Sequence, residues 1–146
     1  MKFLITGLPR SRTAWFASYF TTEDTLCYHE ASFHNSDMEL DVKNIGNSEA
    51  GVELPWVTDF APDRIIVIHR DIDEVERSLD IIGEPTGAAL RERLEELNTR
   101  LDHFGGLHVD FYNIDLWQIH DYLGLKYLPH RAELFDTMNI QSKYWR

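Results

Sequence analysis

The chain has 146 residues, of which 43% are hydrophobic, and a formal charge of −11 at neutral pH. This length suits one domain with one core. The acidic balance argues against a surface that follows a nucleic-acid backbone, because such binding depends on clustered lysines and arginines.

Cysteine use and the N-terminal residues bear on the compartment. Cys27 is the only cysteine, and the sequence has no C-x-x-C or Cys/His metal pattern, which indicates a reducing environment. The first apolar run, 3–5, is too short for a signal peptide core or a membrane span. We therefore expect one cytoplasmic domain over residues 1–146 that needs no membrane, nucleic acid or metal.

The first half of the chain mixes apolar and polar segments. The predicted elements are a strand over 2–6, a helix from 13 to about 21, a strand over 25–29 and, within an irregular polar stretch over 35–51, a short helix over 37–45. The apolar run before Gly7 suits a buried strand that enters a loop. Gly46 and Asn47 are expected to stop the short helix.

The second half has stronger periodicity. The predicted elements are a strand over 65–68, helices over 72–82 and 88–103, a strand over 107–111, a helix over 115–123 and a short helix over 131–136 in an otherwise irregular end. The β-branched run 65–68 is typical of a central parallel strand. Asp71 is suited to cap the helix that follows it, and Gly124 to end the helix before it.

Strands that alternate with helices predict an α/β fold, with a parallel sheet between helices on both faces. In such a three-layer fold, ligands bind at the carboxyl ends of the strands, where helix N-termini offer backbone N–H groups to anions. The segment 7–13 occupies that place after the first strand. It contains Arg10 and Arg12, a basic pair in an acidic chain.

This segment is neither of the two common nucleotide loops. The glycine before the lysine position of G-x-x-x-x-G-K-[ST] is missing, and G-x-G-x-x-G is absent. It resembles instead the 5′-phosphosulfate-binding loop of the sulfotransferases, Pro-Lys/Arg-Ser-Gly-Thr-x-Trp, with Arg12 in place of the glycine. The resemblance implies a P-loop fold of the sulfotransferase and nucleotide kinase kind. It also implies that the cofactor-binding residues include Pro9, Arg10, Ser11, Arg12, Thr13, Ala14 and Trp15.

A second motif strengthens the resemblance. Sulfotransferases bind a 3′-phosphate with an arginine at the end of a strand and a serine eight positions later, and Arg70 and Ser78 have that spacing. The alternative is a salt bridge from Arg70 to Asp71 or Asp73 and a solvated Ser78. The helix that ends at Gly124 is similar to one in the family, whereas the family's Arg-Lys-Gly-x-x-Gly segment is absent.

The resemblance implies sulfuryl transfer from 3′-phosphoadenosine 5′-phosphosulfate, with no metal required, to a hydroxyl or amine of a small molecule or sugar. Arg10 is then expected to stabilise the leaving phosphate as a permanent cation. For the base we favour Glu30, with His29 second, because both end a predicted strand. Neutral histidine deprotonates hydroxyls readily at pH 7, whereas a carboxylate must first be buried. His34 and His69 are weaker candidates, and the alternative is that all are ordinary loop residues.

Two other functions remain open on the sequence alone. A P-loop kinase for a nucleotide or small metabolite would share the fold and the first loop, but it would not need the pair Arg70 and Ser78. A catalytically silent nucleotide-binding domain would suit the short chain and the altered loop glycine. The region around 48–51 and Trp56 is expected to be irregular and to line the acceptor or adenine pocket, with a purely structural Trp56 ring as the alternative. The short chain also suggests an active site that is either open or completed by a second subunit in a homodimer.

Overall fold

A computed structural model describes residues 1–34 and 41–138, without the side chains of His34 and Met138. In chain order the described elements are β1 (Lys2–Gly7), α1 (Thr13–Phe20), β2 (Thr25–His29), α2 (Ala31–His34), β3 (Asn44–Ala50), α3 (Leu54–Phe60), β4 (Arg64–His69), α4 (Ile72–Ile81), α5 (Ala88–Asp102), β5 (Leu107–Asp110), a 3₁₀ turn (Phe111–Asn113), α6 (Leu116–Leu123) and α7 (Pro129–Met138).

The five described strands form one parallel sheet in the order β2-β3-β1-β4-β5, which confirms the predicted α/β class. From β1 the chain goes to β2 on one side, and from β4 it goes to β5 on the other. The connections that leave these two neighbouring strands therefore diverge. In parallel α/β sheets such a divergence opens a crevice at the carboxyl ends of the strands, where ligands bind.

The core has two parts, one on each face of the sheet. Ile66 and Ile68 belong to one buried cluster and Val67 to the other, because successive side chains of a strand point to opposite faces. The first cluster takes in the aromatic side of α1 and parts of α6 and α7. The second takes in α4 and the leucine stripe of α5. Helices therefore cover both faces, as predicted.

Within residues 35–51 the structure differs most from the prediction of an irregular segment with a short helix. Residues 37–40 of the predicted helix lie outside the described residues, and 44–50 form β3, the strand between β2 and β1. Its polar composition suggested an irregular segment, yet its polar residues are buried. Asn44, for example, donates to the Thr25 hydroxyl at 3.1 Å. Buried polar groups are tolerated when they form hydrogen bonds with one another. The polar composition of 44–50 was therefore compatible with a buried strand, and the prediction of an irregular segment there was wrong.

Gly46 lies inside β3 and is not a helix stop. A Cβ at this position would lie less than 3.0 Å from three carbons of the Phe3 ring. Phe3 is fully buried on β1, in register with Gly46. The glycine therefore makes room for an aromatic ring from the neighbouring strand.

Helix α7 holds α1 against the sheet. The Arg131 guanidinium donates to the carbonyls of Ser18, Tyr19 and Thr21, each at 2.8 Å, and so satisfies groups that a helix C-terminus leaves unpaired. The Trp15 indole donates to the Phe135 carbonyl at 2.9 Å. The end of the chain is therefore more helical than the predicted 131–136, and it fixes the helix that follows the loop.

We expect the protein to lose stability in mild acid partly through His120. Burial, the largest effect, lowers the pKa of His120 below its ordinary value of 6.5. Between the lowered pKa of His120 in the folded chain and its ordinary pKa in the unfolded chain, the unfolded chain binds more protons. The free energy of unfolding that neutral His120 contributes is therefore complete above the unfolded-chain pKa. It is lost as the pH falls toward the folded-chain pKa. Melting temperatures measured from about pH 7.5 to pH 5 should fall less steeply in His120→Gln than in the wild type. Parallel curves would contradict this prediction.

Candidate functional site

The loop after β1 turns sharply at the carboxyl edge of the sheet. A Cβ on Gly7 would lie 2.7 Å from the Ile68 carbonyl oxygen and 3.2 Å from the Ser11 Cβ, so the loop folds back closely over its own start. Arg10 and Arg12 have left-handed φ angles of 66° and 64°, which non-glycine residues adopt rarely. Such conformations persist where surrounding contacts enforce them, often at functional sites.

The two sequence motifs meet in space. The Arg10 Nε donates to the Ser78 hydroxyl at 3.0 Å, although 68 residues separate them in the chain. The Arg70 Nη1 donates to the Arg10 carbonyl oxygen. Arg70 follows β4 and Ser78 lies in α4, so the contacts join the loops after β1 and β4 where the two connections diverge.

The arginines form a positive cluster in an acidic protein. Burial and, second, repulsion from Arg70 lower the pKa of Arg10. Burial also lowers the pKa of Arg12, an effect that Asp136 opposes and Arg70 reinforces. These directions indicate cations that are partly removed from water and that repel one another.

The alternative in which Arg70 pairs with a neighbouring carboxylate is not seen. Asp71 accepts a hydrogen bond from the Glu74 backbone N–H at 3.2 Å and caps α4. Asp73 forms an ion pair with Arg91. Both carboxylates therefore make contacts within or between α4 and α5. Arg70 instead contacts the Arg10 carbonyl and the ring of Phe111.

Within the described residues, four buried side-chain atoms lack a hydrogen-bond partner, and all belong to the carboxyl half of the sheet or its loops. They are Thr6 Oγ1, Ser11 Oγ, Ser48 Oγ and Arg70 Nε. Buried polar atoms without partners are rare and mark places where a ligand or water completes the bonding. Ser11 and Arg70 are the two that lie in the arginine-lined loops.

Phe111 also lies at this edge, where its ring contacts Arg70 and Arg12. This contact was not predicted from the sequence. The Phe111 ring centroid lies 4.1 Å from the Arg70 Cζ and 5.3 Å from the Arg12 Cζ. The sequence placed it inside the last strand, whereas it begins the 3₁₀ turn after β5. An aromatic residue just beyond the carboxyl end of a strand is the only signal that could have identified it.

The two base candidates lie farther along the same edge. His29 ends β2, and its Nδ1 lies 2.9 Å from the Ser48 carbonyl oxygen. A carbonyl can only accept, so Nδ1 carries the proton, and neutral His29 has its lone pair on Nε2. That Nε2 lies 3.6 Å from the Glu30 Oε1. Two strand spacings, about 10 Å, separate β2 from β1.

A buried carboxylate of β3 holds the turn that carries these candidates. Glu49 accepts hydrogen bonds from the Asn47 side chain at 2.8 Å and from the Ser32 backbone N–H at 3.2 Å, and also from the Ser32 hydroxyl. Asn47 in turn accepts from the Ala31 backbone N–H at 3.0 Å. This network orients the turn at Glu30, whose φ is 57°. It also explains why β3 is polar.

The remaining predicted residues have varied surroundings. Thr13 is the buried first residue of α1, Ala14 and Pro9 are partly exposed, and Trp15 is buried in the core. Trp56 lies in α3, where the sequence analysis expected irregular chain, and stacks on Phe60 with ring centroids 4.8 Å apart.

The weaker base candidates have other positions. His69 bonds through Nε2 to the His108 Nδ1 at 2.6 Å, and the side chain of His34 lies outside the described part.

The described ranges 1–34 and 41–138 contain no group of three or more His, Cys, Asp or Glu that could hold a metal ion. None of their helices is long and apolar enough to cross a membrane. A cavity of about 810 Å³ lies at the opposite edge of the sheet, beside the first residues of β2 and β3, Thr25 and Asn44. Its wall does not include the arginine cluster.

The fold and the edge together define an α/β protein with an arginine cluster at the divergence of its central strands. A scan against protein-family models finds none that matches the chain, and a search of curated proteins finds no significant match.

Proposed function

We propose that this protein is a sulfotransferase that moves a sulfuryl group from 3′-phosphoadenosine 5′-phosphosulfate to a hydroxyl or amine of a small molecule or sugar in the cytoplasm. The observation that carries the proposal is the hydrogen bond from Arg10 to Ser78. It joins the loop that resembles a phosphosulfate site to the helix that resembles a 3′-phosphate site. A nucleotide with phosphates at both positions would contact both.

In this proposal the residues of the two loops and α4 bind the two phosphates and stabilise the leaving group. Arg70 and Ser78 bind the 3′-phosphate, since a guanidinium and a hydroxyl can both donate to its oxygens. The backbone of the loop, with Ser11 and Thr13, binds the 5′-phosphate. Arg10 stabilises the negative charge that collects on that phosphate as the bond between sulfur and the phosphate oxygen breaks. These roles need no metal ion.

The geometry shifts our preference for the base from Glu30 to His29. The Glu30 side chain is 44% exposed and is therefore not enclosed within the protein. His29 offers a lone pair at Nε2, an atom that lies 3.6 Å from the Glu30 carboxylate. The proton of the acceptor hydroxyl would pass to this atom as oxygen attacks sulfur.

Arg70→Ala is expected to weaken binding of adenosine 3′,5′-bisphosphate by about 2 kcal/mol, the scale of a lost hydrogen bond to a charged group. Calorimetric titration in the absence of metal measures this. The matched control is Arg77→Ala, because Arg77 is an exposed arginine on α4 whose side chain pairs with Glu74. It should bind like the wild type.

A parallel titration with ATP and magnesium separates the other functions. Binding of ATP in preference to the bisphosphate would favour a kinase. Tight binding of the bisphosphate without transfer to any acceptor would favour a silent nucleotide-binding domain. Binding of neither nucleotide would contradict the proposal.

A further inference from the structure

We infer that Phe111 is a positioning residue that holds Arg70 and Arg12 side by side as a two-arginine clamp for the nucleotide phosphates. This inference rests on the proposed function. Both guanidinium carbons lie within 6 Å of the ring centroid, at 4.1 Å and 5.3 Å, the range in which the negative face of an aromatic ring attracts a cation.

The local backbone fixes the ring. Asp110, the last residue of β5, accepts a hydrogen bond from the Tyr112 backbone N–H at 2.9 Å and so caps the 3₁₀ turn in which Phe111 lies. One side of Phe111 packs against the core cluster on the α1 face of the sheet. The ring is therefore a rigid support at the edge next to β4, the strand that delivers Arg70.

An aromatic ring serves this purpose better than a carboxylate. A carboxylate would occupy the in-plane N–H donors of a guanidinium, which are the groups that bind phosphate. A ring contacts the flat face and leaves those donors available. It also offsets the repulsion between two cations, which contributes to the lowered pKa of Arg12. The contact thus keeps the arginines together without neutralising them.

The test replaces the hydrogens of the Phe111 ring by fluorine, because fluorination withdraws the negative charge of the ring face and changes its shape little. Incorporated trifluorophenylalanine and then pentafluorophenylalanine should weaken binding of adenosine 3′,5′-bisphosphate stepwise. Phe111→Leu, which keeps an apolar side chain, should weaken it about tenfold. Tyr112→Leu is the control, since this neighbouring ring is 55% exposed and contacts Phe111 by its edge.

The outcomes separate the two proposals. Stepwise weakening with fluorination, at unchanged melting temperature and with a normal Tyr112→Leu variant, supports the clamp. Equal affinity in the wild type and both fluorinated proteins would overturn the clamp and leave the proposed function standing. If the wild type does not bind the bisphosphate, the proposed function fails and the clamp fails with it.

Discussion

Gly46→Ala is expected to destabilise the protein by about 3 kcal/mol, the upper part of the range for overpacking a core. The added methyl group would overlap the ring of Phe3, which is fully buried. Denaturant unfolding monitored by circular dichroism measures the loss. For a chain of this length the melting temperature should fall by roughly 10 °C.

Two variants show whether the overlap is the cause. Gly105→Ala is the matched control, because a Cβ there meets nothing within 4 Å, and its stability should stay within about 0.5 kcal/mol of the wild type. Phe3→Leu combined with Gly46→Ala should lose less stability than the sum of the single changes, since the smaller side chain makes room. Strict additivity would show that Gly46 matters for its backbone rather than for Phe3.

His29→Gln is expected to slow sulfuryl transfer by a factor of about 100 to 10,000, the usual contribution of a general base. Glutamine can still donate to the Ser48 carbonyl, but it has no basic nitrogen to accept the acceptor's proton. Single-turnover kinetics with an acceptor found by screening measures the effect. Affinity for the bisphosphate should not change, because His29 lies about two strand spacings from β1.

Glu30→Gln and a distant histidine test the assignment. Glu30→Gln should slow transfer less than His29→Gln, because in this assignment the carboxylate does not itself take the acceptor's proton. His130→Gln, a change at an exposed position of α7, should leave the rate at the wild-type value. A larger loss in Glu30→Gln than in His29→Gln would return the role of base to the carboxylate that the sequence favoured.

Local signals predicted much of the fold. The β-branched run at β4 and the periodic leucines of α5 each had one physical explanation, and the structure has a strand and a helix there. Asp71 caps α4 and Gly124 ends α6 with a left-handed φ of 68°, because these residue types satisfy helix ends at low cost. Such signals need no knowledge of the rest of the chain.

Features that depend on distant partners could not be predicted in this way. The burial of polar residues in β3 is explained only by the hydrogen bonds that Glu49 accepts from Ser32 and Asn47. Gly46 was predicted to stop a helix, and only its close approach to the Phe3 ring explains a glycine inside a strand. In the candidate site, the spacing of Arg70 and Ser78 could be recognised in the sequence. The contact of Phe111 with Arg12 and Arg70 could not, because these residues follow three different strands.

The hydrogen bonds between α7 and α1 have a consequence for synthesis on the ribosome. Helix α1 follows the loop near the start of the chain, yet its last carbonyls are capped by Arg131 and its Trp15 indole is bound by the Phe135 carbonyl. While the chain grows, α1 therefore lacks these hydrogen bonds until residues more than a hundred positions later have been made. Until α7 leaves the exit tunnel, Trp15 and Tyr19 lack their ring contacts with Phe135, so chaperones that shield emerging chains would meet this part of α1 incompletely covered.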